Sequence, residues 1–112
     1  MYDSGQDLVL SLRSQRKLLI ETVIAMKHVG REKAKAENTY RKELCKKILS
    51  ERDKGTPVTI IADVCRGDEK VADLKMERDI KETDYEVCEH MINATKLEIK
   101  ILEGEIIQDR QG

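Results

Sequence analysis

The sequence contains no Trp and no Phe, and its only aromatic side chains are three Tyr. A compact globular core usually depends on aromatic bulk, whereas an elongated helical assembly does not need it. One Pro and six Gly among 112 residues leave few positions at which helices would be interrupted. The composition therefore favours a single helical domain over a sheet protein.

Neither sign of charge is in excess. Lys and Arg number 21, and Asp and Glu number 22, for a net charge of -1, so no overall basic field attracts nucleic acid or an anionic membrane. No apolar run approaches the roughly 20 residues that span a bilayer, and the chain does not open on a basic region followed by an apolar stretch. We expect a soluble, unexported protein without membrane contacts, for which nucleic acid is the least favoured partner.

The residue types that carry catalysis or bind metals do not occur at useful spacings. Cys45, Cys65 and Cys88 form neither an even set nor a C-x-x-C pair, which fits reduced thiols. The only histidines are His28 and His90, and His90 is two residues from Cys88, whereas a helical metal site needs ligands three or four residues apart. No Glu-x-x-His or Gly-x-Ser-x-Gly motif occurs. We predict a non-enzymatic protein with no metal and no cofactor.

The chain does contain helical periodicity, on both sides of one break at residues 55–67. Helix 1 is predicted over about residues 5–54 and continues through Gly30, because the small and polar stretch that follows keeps strong helix formers and has no Pro. Helix 2 is predicted over about residues 68–109. Its stripe has the alternating spacings of 3 and 4 that are typical of a coiled coil, and consists of Tyr85, Cys88, Ile92, Thr95, Ile99, Leu102 and Ile106. These features predict an all-α fold, a long antiparallel helical hairpin in one domain over residues 1–112.

The break between the helices predicts a defined tip. Gly55 and Pro57 end helix 1. A short helix is expected over residues 60–65, with Thr59 as its N-cap, and Asp68 caps helix 2. Because charged side chains surround a fixed turn, we predict that the tip binds a partner through Arg66, Asp68 and Thr59.

Charge supports the antiparallel pairing. Residues 31–54 carry nine basic and five acidic side chains, a balance of +4, and residues 68–90 carry nine acidic and four basic ones, a balance of -5. A hairpin lays these stretches side by side, where opposite fields select partner and orientation although each exposed pair is worth only about 0.2–1 kcal/mol. The basic run is therefore expected to face the acidic run.

The apolar residues at the other end of the hairpin predict self-association. The stripes over residues 8–26 and 91–107 are too broad for two helices to bury in each other, and the remaining flank marks an interface. A dimer of hairpins that forms a multi-helix bundle is the smallest solution. The predicted oligomer interface consists of Leu12, Leu19, Val23, Met26, Ile99, Leu102 and Ile106.

A cluster of small residues near Gly30 has two interpretations. The favoured one is close helix packing opposite Tyr85 and Cys88, and the alternative is a ligand-binding notch. In the alternative, three basic side chains face phosphates and a tyrosine stacks on a base. The notch residues would be Gly30, Arg31, Lys33, Ala34, Lys35, Tyr40 and Tyr85.

Several short segments also carry a family resemblance. They are Ala36-Glu37 with Tyr40, Ile48-Leu49 with Arg52 and Gly55, the run Pro57 to Asp63, Arg66 to Asp68 with Val71, Ala72 and Leu74, Arg78-Asp79, Ile92-Asn93 with Leu97, and Ile101 to Glu103. Over about residues 30–107 the chain resembles small helical-hairpin proteins encoded by phages and prophages of Gram-positive bacteria, often among early genes of DNA metabolism. It departs from that pattern at Cys65 and Cys88.

The resemblance implies a setting, the cytoplasm of an infected or lysogenic bacterial host, and no transferable activity. Together with the residues it leaves three hypotheses. The first is a homo-oligomeric accessory protein that binds a host or phage macromolecule in DNA metabolism or in interference with host defence. The second is an anti-defence protein that sequesters a nucleotide signal between protomers, and the third is a nucleic-acid-binding accessory of recombination or replication.

Overall fold

The computed structural model describes residues 4–111 of the chain, and the side chains of residues 5–111. Helix α1 spans Ser4–Asp53, α2 spans Val58–Gly67 and α3 spans Glu69–Gln111. No strand occurs among the described residues. The prediction of an all-α helical hairpin with a short helix at the tip is confirmed.

The long helices form because the sequence has few residues that interrupt a helix. α1 runs through Gly30 without a break, although glycine costs about 1 kcal/mol relative to alanine in a helix. The predicted ends of the two long helices lie within two residues of the observed ones. A positive φ of 81° at Gly55 ends α1, and Pro57 prevents its resumption.

The start of α2 differs from the prediction. The helix begins at Val58, with Pro57 in the N-cap position at φ -55° and ψ 134° and without a side-chain cap. Thr59 therefore lies exposed within the first turn and is not the N-cap. Proline substitutes for a capping side chain here because its ring fixes a φ suitable for helix entry, and its carbonyl accepts the N–H of Ile60 at 3.0 Å.

The fold divides into two compact units, which are described separately. The terminal unit comprises α1 up to His28 and α3 from Glu86, and the tip unit comprises Val29–Tyr85. Within the terminal unit α1 and α3 run antiparallel, since Val9 and Arg13 line the same groove as Ile106.

The terminal unit is held by the stripe that the sequence predicts on helix 2. From Cys88 to Ile106 every stripe residue is buried or half-buried, with Thr95 and Leu102 the most enclosed. On α1 the buried position is Thr22, and its neighbour Val23 is 50% exposed. The two buried hydroxyl groups donate to carbonyls of their own helices at 2.7 Å, Thr22 to Leu18 and Thr95 to Met91. Each buried hydroxyl group therefore has a hydrogen-bond acceptor.

The tip unit has a small apolar core and an ordered turn. Ile61 and Cys65 of α2 are buried, as is Val71 of α3. At the end of α1 the N–H of Gly55 donates to the carbonyl of Arg52 at 3.0 Å, and that of Thr56 donates to the carbonyl of Glu51 at 3.1 Å. These two bonds form a Schellman motif, which satisfies carbonyls that the helix end leaves open.

Substitution of Gly55 tests this turn. Gly55→Ala should lower the free energy of unfolding by about 1–2 kcal/mol, because a side chain disfavours the left-handed conformation. Gly67→Ala is the matched control, since Gly67 lacks a positive φ and an added Cβ meets no atom within 4 Å. Urea denaturation followed by circular dichroism measures both, and equal destabilisation by the two changes would contradict the assignment.

Candidate functional site

A buried carboxylate organises the tip. The Glu51 side chain is 8% exposed and lies beside two ammonium groups, with Lys47 Nζ at 3.0 Å and Lys54 Nζ at 3.7 Å from Oε1. Its other oxygen accepts a hydrogen bond of 2.6 Å from the Thr56 hydroxyl. The hydrogen bonds from Thr56 and then Lys47 hold the pKa of Glu51 below its ordinary value. The carboxylate therefore stays ionised and fixes the turn that follows α1.

The same cluster reaches the start of α3. Lys47 Nζ lies 3.5 Å from Asp68 Oδ1, while Asp68 Oδ2 accepts the N–H of Val71 at 3.1 Å. The bond from Val71 and the charge of Lys47 lower the pKa of Asp68, and the hydrogen bond to Glu51 is the main cause that raises the pKa of Lys47. Asp68 is the N-cap of α3, as the sequence predicts, so its carboxylate serves the fold.

The ion pairs between α1 and α3 mostly run opposite to the predicted sense. Lys47 to Asp68 places the base on α1, but Glu37 Oε2 lies 3.4 Å from Arg78 Nε, and Glu43 Oε1 lies 3.4 Å from Lys70 Nζ. In two of these three pairs, an acidic side chain of the basic run on α1 meets a basic side chain of the acidic run on α3. The seam positions determine which charges meet, and the excess charge is carried elsewhere on each helix.

Two cation–aromatic contacts lie along the seam of the tip unit. Arg78 Cζ lies 4.6 Å from the centroid of the Tyr40 ring, and Lys33 Nζ lies 4.7 Å from that of Tyr85. Arg78 also donates to Asp79 Oδ1 at 3.0 and 3.2 Å, which lowers the pKa of Asp79 and raises that of Arg78. Each contact joins a basic side chain of one helix to an aromatic ring of the other. A comparison of net charges does not predict such contacts, because the ring is uncharged.

A cleft of about 590 Å³ lies between α1 and α3 beside the small residues Gly30 and Ala34. A Cβ added at Gly30 would lie 3.3 Å from Tyr85 Cε2, so the favoured interpretation of close packing describes this position. Four of the seven predicted notch residues line the cleft, namely Gly30, Lys33, Ala34 and Tyr85, and the other lining residues are Glu37, Arg78 and Glu82.

The remaining notch residues lie outside the cleft lining. Arg31 and Lys35 are exposed, and Lys35 Nζ lies 3.5 Å from Glu32 Oε1. Tyr40 contacts Arg78 one level nearer the tip. The cleft therefore has two basic and two acidic side chains, which leaves no net positive charge for a phosphate.

The predicted tip contacts separate into exposed and structural residues. Arg66 is 68% exposed on its side chain and lies 3.0 Å from Asp63 of its own helix, and Thr59 is exposed. Asp68 is engaged as the cap of α3. The contacts of Glu51 were missed by the sequence analysis, although Lys47 four residues before it is a recognisable helical pair.

Most of the predicted oligomer-interface residues lie in the seam within one chain. Leu102 is buried inside the terminal unit, and the other predicted members except Val23 are half-buried there. This stripe forms the seam within one chain, because a heptad pattern does not distinguish a partner helix in the same chain from one in another. Among the described residues, the exposed large apolar side chains of the terminal unit are Leu10, Ile20, Val23, Ile24, Val87, Met91, Leu97, Ile101 and Ile107.

The geometry defines a helical hairpin protein with a charged tip unit. No group of three or more His, Cys, Asp or Glu among the described residues is placed to hold a metal ion. In the same part of the chain, no helix combines the length and apolar character needed to cross a membrane. Comparison with protein families, with curated proteins and with solved structures finds no match to this chain.

Substitution of Gly30 tests the close approach to Tyr85. Gly104→Ala should raise the free energy of unfolding by about 1 kcal/mol through helix propensity, since its new methyl group meets nothing within 4 Å. Gly30→Ala should give a smaller gain or a loss, because Tyr85 must shift by a few tenths of an ångström. Denaturant unfolding measures the free energy of unfolding of both variants. Equal increases in the two variants would contradict close packing at Gly30.

The lowered pKa of Glu51 predicts a pH dependence. Because the unfolded chain binds this proton more readily, the contribution of Glu51 to stability is present above its ordinary pKa of 4.5 and is lost as the pH falls through the lower folded value. Melting temperatures from about pH 7 to about pH 3 should therefore fall less steeply for Glu51→Gln than for the wild type.

Glu21→Gln is the control for this experiment. Glu21 is exposed and lies 3.9 Å from Lys17 Nζ within the terminal unit, where an exposed pair contributes little. Its profile should follow the wild type, and a Glu51→Gln profile that also follows the wild type would refute the role of the carboxylate.

Proposed function

We propose that this chain is a non-enzymatic, homo-oligomeric interaction protein that acts by binding a macromolecular partner. One observation carries the proposal: among the described residues, four hydrophobic side chains are buried and fourteen large ones are exposed. Scattered apolar side chains are normal on a protein surface, but contiguous apolar surface on a soluble monomer usually marks an interaction site. The exposed residues of both units supply surfaces for such contacts.

Self-association is proposed through the terminal unit. On α3, Val87, Met91, Ala94 and Ile101 recur at spacings of 4, 3 and 7, so they share one face of the helix. All four are exposed in the single chain. A second copy that covers this face would remove the apolar side chains from water, which is the main favourable term in association.

The biological setting rests on the sequence resemblance. We propose a phage accessory protein that acts in the cytoplasm of a bacterial host, in early DNA metabolism or in interference with host defence. Nucleotide sequestration has less support, because Glu37 and Glu82 line the cleft beside Gly30. Of the three basic side chains predicted to face a phosphate, only Lys33 lines this cleft. Nucleic-acid binding has the least support, since the net charge is -1.

Analytical ultracentrifugation at micromolar concentration tests self-association. The wild type should sediment as a dimer or larger species, and Ile101→Glu should shift the equilibrium toward the monomer by about tenfold or more, because a buried carboxylate opposes the contact. Asn93→Glu adds the same charge to an exposed position of the same helix that lies off this face, because Asn93 is one residue from Ala94 and two from Met91. This variant should behave like the wild type.

Retention of the fold is checked by circular dichroism of each variant. Ile101 is exposed in the single chain, and glutamate has good helix propensity, so the helical signal should not change. A wild type that sediments as a single monomeric species across the concentration range would reject self-association.

A further inference from the structure

A groove of about 400 Å³ lies between the second half of α1 and α2. The residues from α1 are four apart in sequence and form one row along the helix. Twelve residues separate the ends of that row, which corresponds to about 18 Å, or slightly more than three helical turns. The lining residues are Tyr40, Leu44, Ile48 and Arg52 of α1, with Val58, Ile61, Ala62, Cys65 and Arg66 of α2.

The floor of the groove is aliphatic and accessible at its edges. Ile61 and Cys65 are buried beneath it, whereas Val58 at its rim is 80% exposed. Leu44 and Ile48, which line the groove on α1, are half-buried. Hydrocarbon side chains therefore contact water along the length of the groove, which favours coverage by another apolar surface.

The charged residues that line the groove are of one sign. Arg52 and Arg66 belong to its lining, and no carboxylate does. Arg52 is exposed and forms no ion pair with the residues that the structure describes. Arg66 pairs with Asp63, three residues before it on α2, and its Nε donates to the carbonyl of Ala62 at 3.4 Å. The groove thus combines an apolar floor with two guanidinium groups. That of Arg52 is open to a carboxylate in bidentate geometry, and that of Arg66 is partly engaged within α2.

We propose that this groove binds an amphipathic helix of a partner protein, about three turns long, with acidic side chains beside its apolar face. The apolar face would cover Leu44, Ile48 and Val58, and the carboxylates would pair with Arg52 and Arg66. This rests on the proposed function and names the chemistry of its partner. A helix fits because it brings aliphatic side chains to one face at intervals of three and four residues and satisfies its own backbone.

Two other occupants are less well matched. A nucleic acid would pair with the guanidinium groups, but its phosphates would leave the aliphatic floor uncovered. A second copy of this chain could present the exposed Met76 and Ile80 of α3, but the neighbouring Asp79 already pairs with Lys75 and Arg78 of its own chain. Self-occupation is therefore a defined outcome of the test.

Fluorescence anisotropy with designed peptides tests the proposal on the full-length protein. The probe is a labelled helical peptide of 14 residues with leucines along one face and glutamates beside them. One control peptide carries lysines in place of the glutamates, and another has the same residues in scrambled order. The glutamate peptide should bind at least about tenfold more tightly than either control, and this preference should weaken as salt is added.

Groove variants locate the binding site. Arg52→Glu and Val58→Ser should each weaken binding of the glutamate peptide by about tenfold. Arg31→Glu makes the same charge change on the same helix outside the groove, and Leu10→Ser makes a comparable change at an exposed position of the terminal unit. Both controls should stay within about twofold of the wild type.

Three results would overturn the proposal. They are equal binding of the glutamate and lysine peptides, binding that Arg52→Glu and Val58→Ser leave unchanged, and absence of binding by the glutamate peptide. Sedimentation of Val58→Ser without peptide identifies self-occupation, since loss of wild-type association in this variant would assign the groove to a second copy. The Ile101→Glu result is read independently, so failure of the groove and failure of self-association through the terminal unit remain distinguishable.

Discussion

The arrangement of the tip depends on the buried carboxylate of Glu51. Its oxygens hold Lys47 and the hydroxyl of Thr56, its backbone carbonyl accepts the N–H of Thr56, and Lys47 extends the cluster to Asp68. A buried charge is costly unless it is paired and hydrogen-bonded. The cluster therefore tolerates few arrangements of the end of α1, the turn and the start of α3, and so sets where α2 lies.

The position of α2 in turn creates the proposed interaction surface. Ile61 and Cys65 pack inward, while Val58 and Ile60 stay in contact with water. A ten-residue helix cannot bury all of its apolar side chains against the ends of two longer ones, because only one stripe of a helix faces its neighbours. The exposed Val58 and the arginines that line the same groove give the tip its combination of apolar and basic chemistry.

The two units stabilise their helices in different ways. The terminal unit uses an aliphatic seam with two internally bonded threonines, whereas the tip unit places ion pairs and cation–aromatic contacts beside its small apolar core. Individual exposed ion pairs contribute little to stability, but their geometry fixes register and orientation. This division is consistent with the proposed function, in which the terminal unit offers apolar area for association and the tip unit presents a defined surface.

Sequence reasoning was most successful where local chemistry decides the outcome. The stripe from Tyr85 to Ile106, the stop at Gly55 and the cap at Asp68 follow from helical spacing and from backbone preferences. It was less successful for Thr59, where a preceding proline took the capping position, and for the notch residues, since Arg31 and Lys35 lie outside the cleft that Lys33 lines. Proximity along the chain did not predict which side of the helix each residue occupies in the packed unit.

The amino-acid sequence by itself determined the helices, their antiparallel pairing and the place of the turn, because periodicity, helix propensity and glycine conformation act over a few residues. Only the tertiary structure decided which charges meet. The net balances of +4 and -5 indicated basic side chains of α1 against acidic ones of α3, yet Glu37 pairs with Arg78 and Glu43 with Lys70. Ion pairing depends on distances of a few ångströms across the seam, and a sum of charges over a segment contains no such distances.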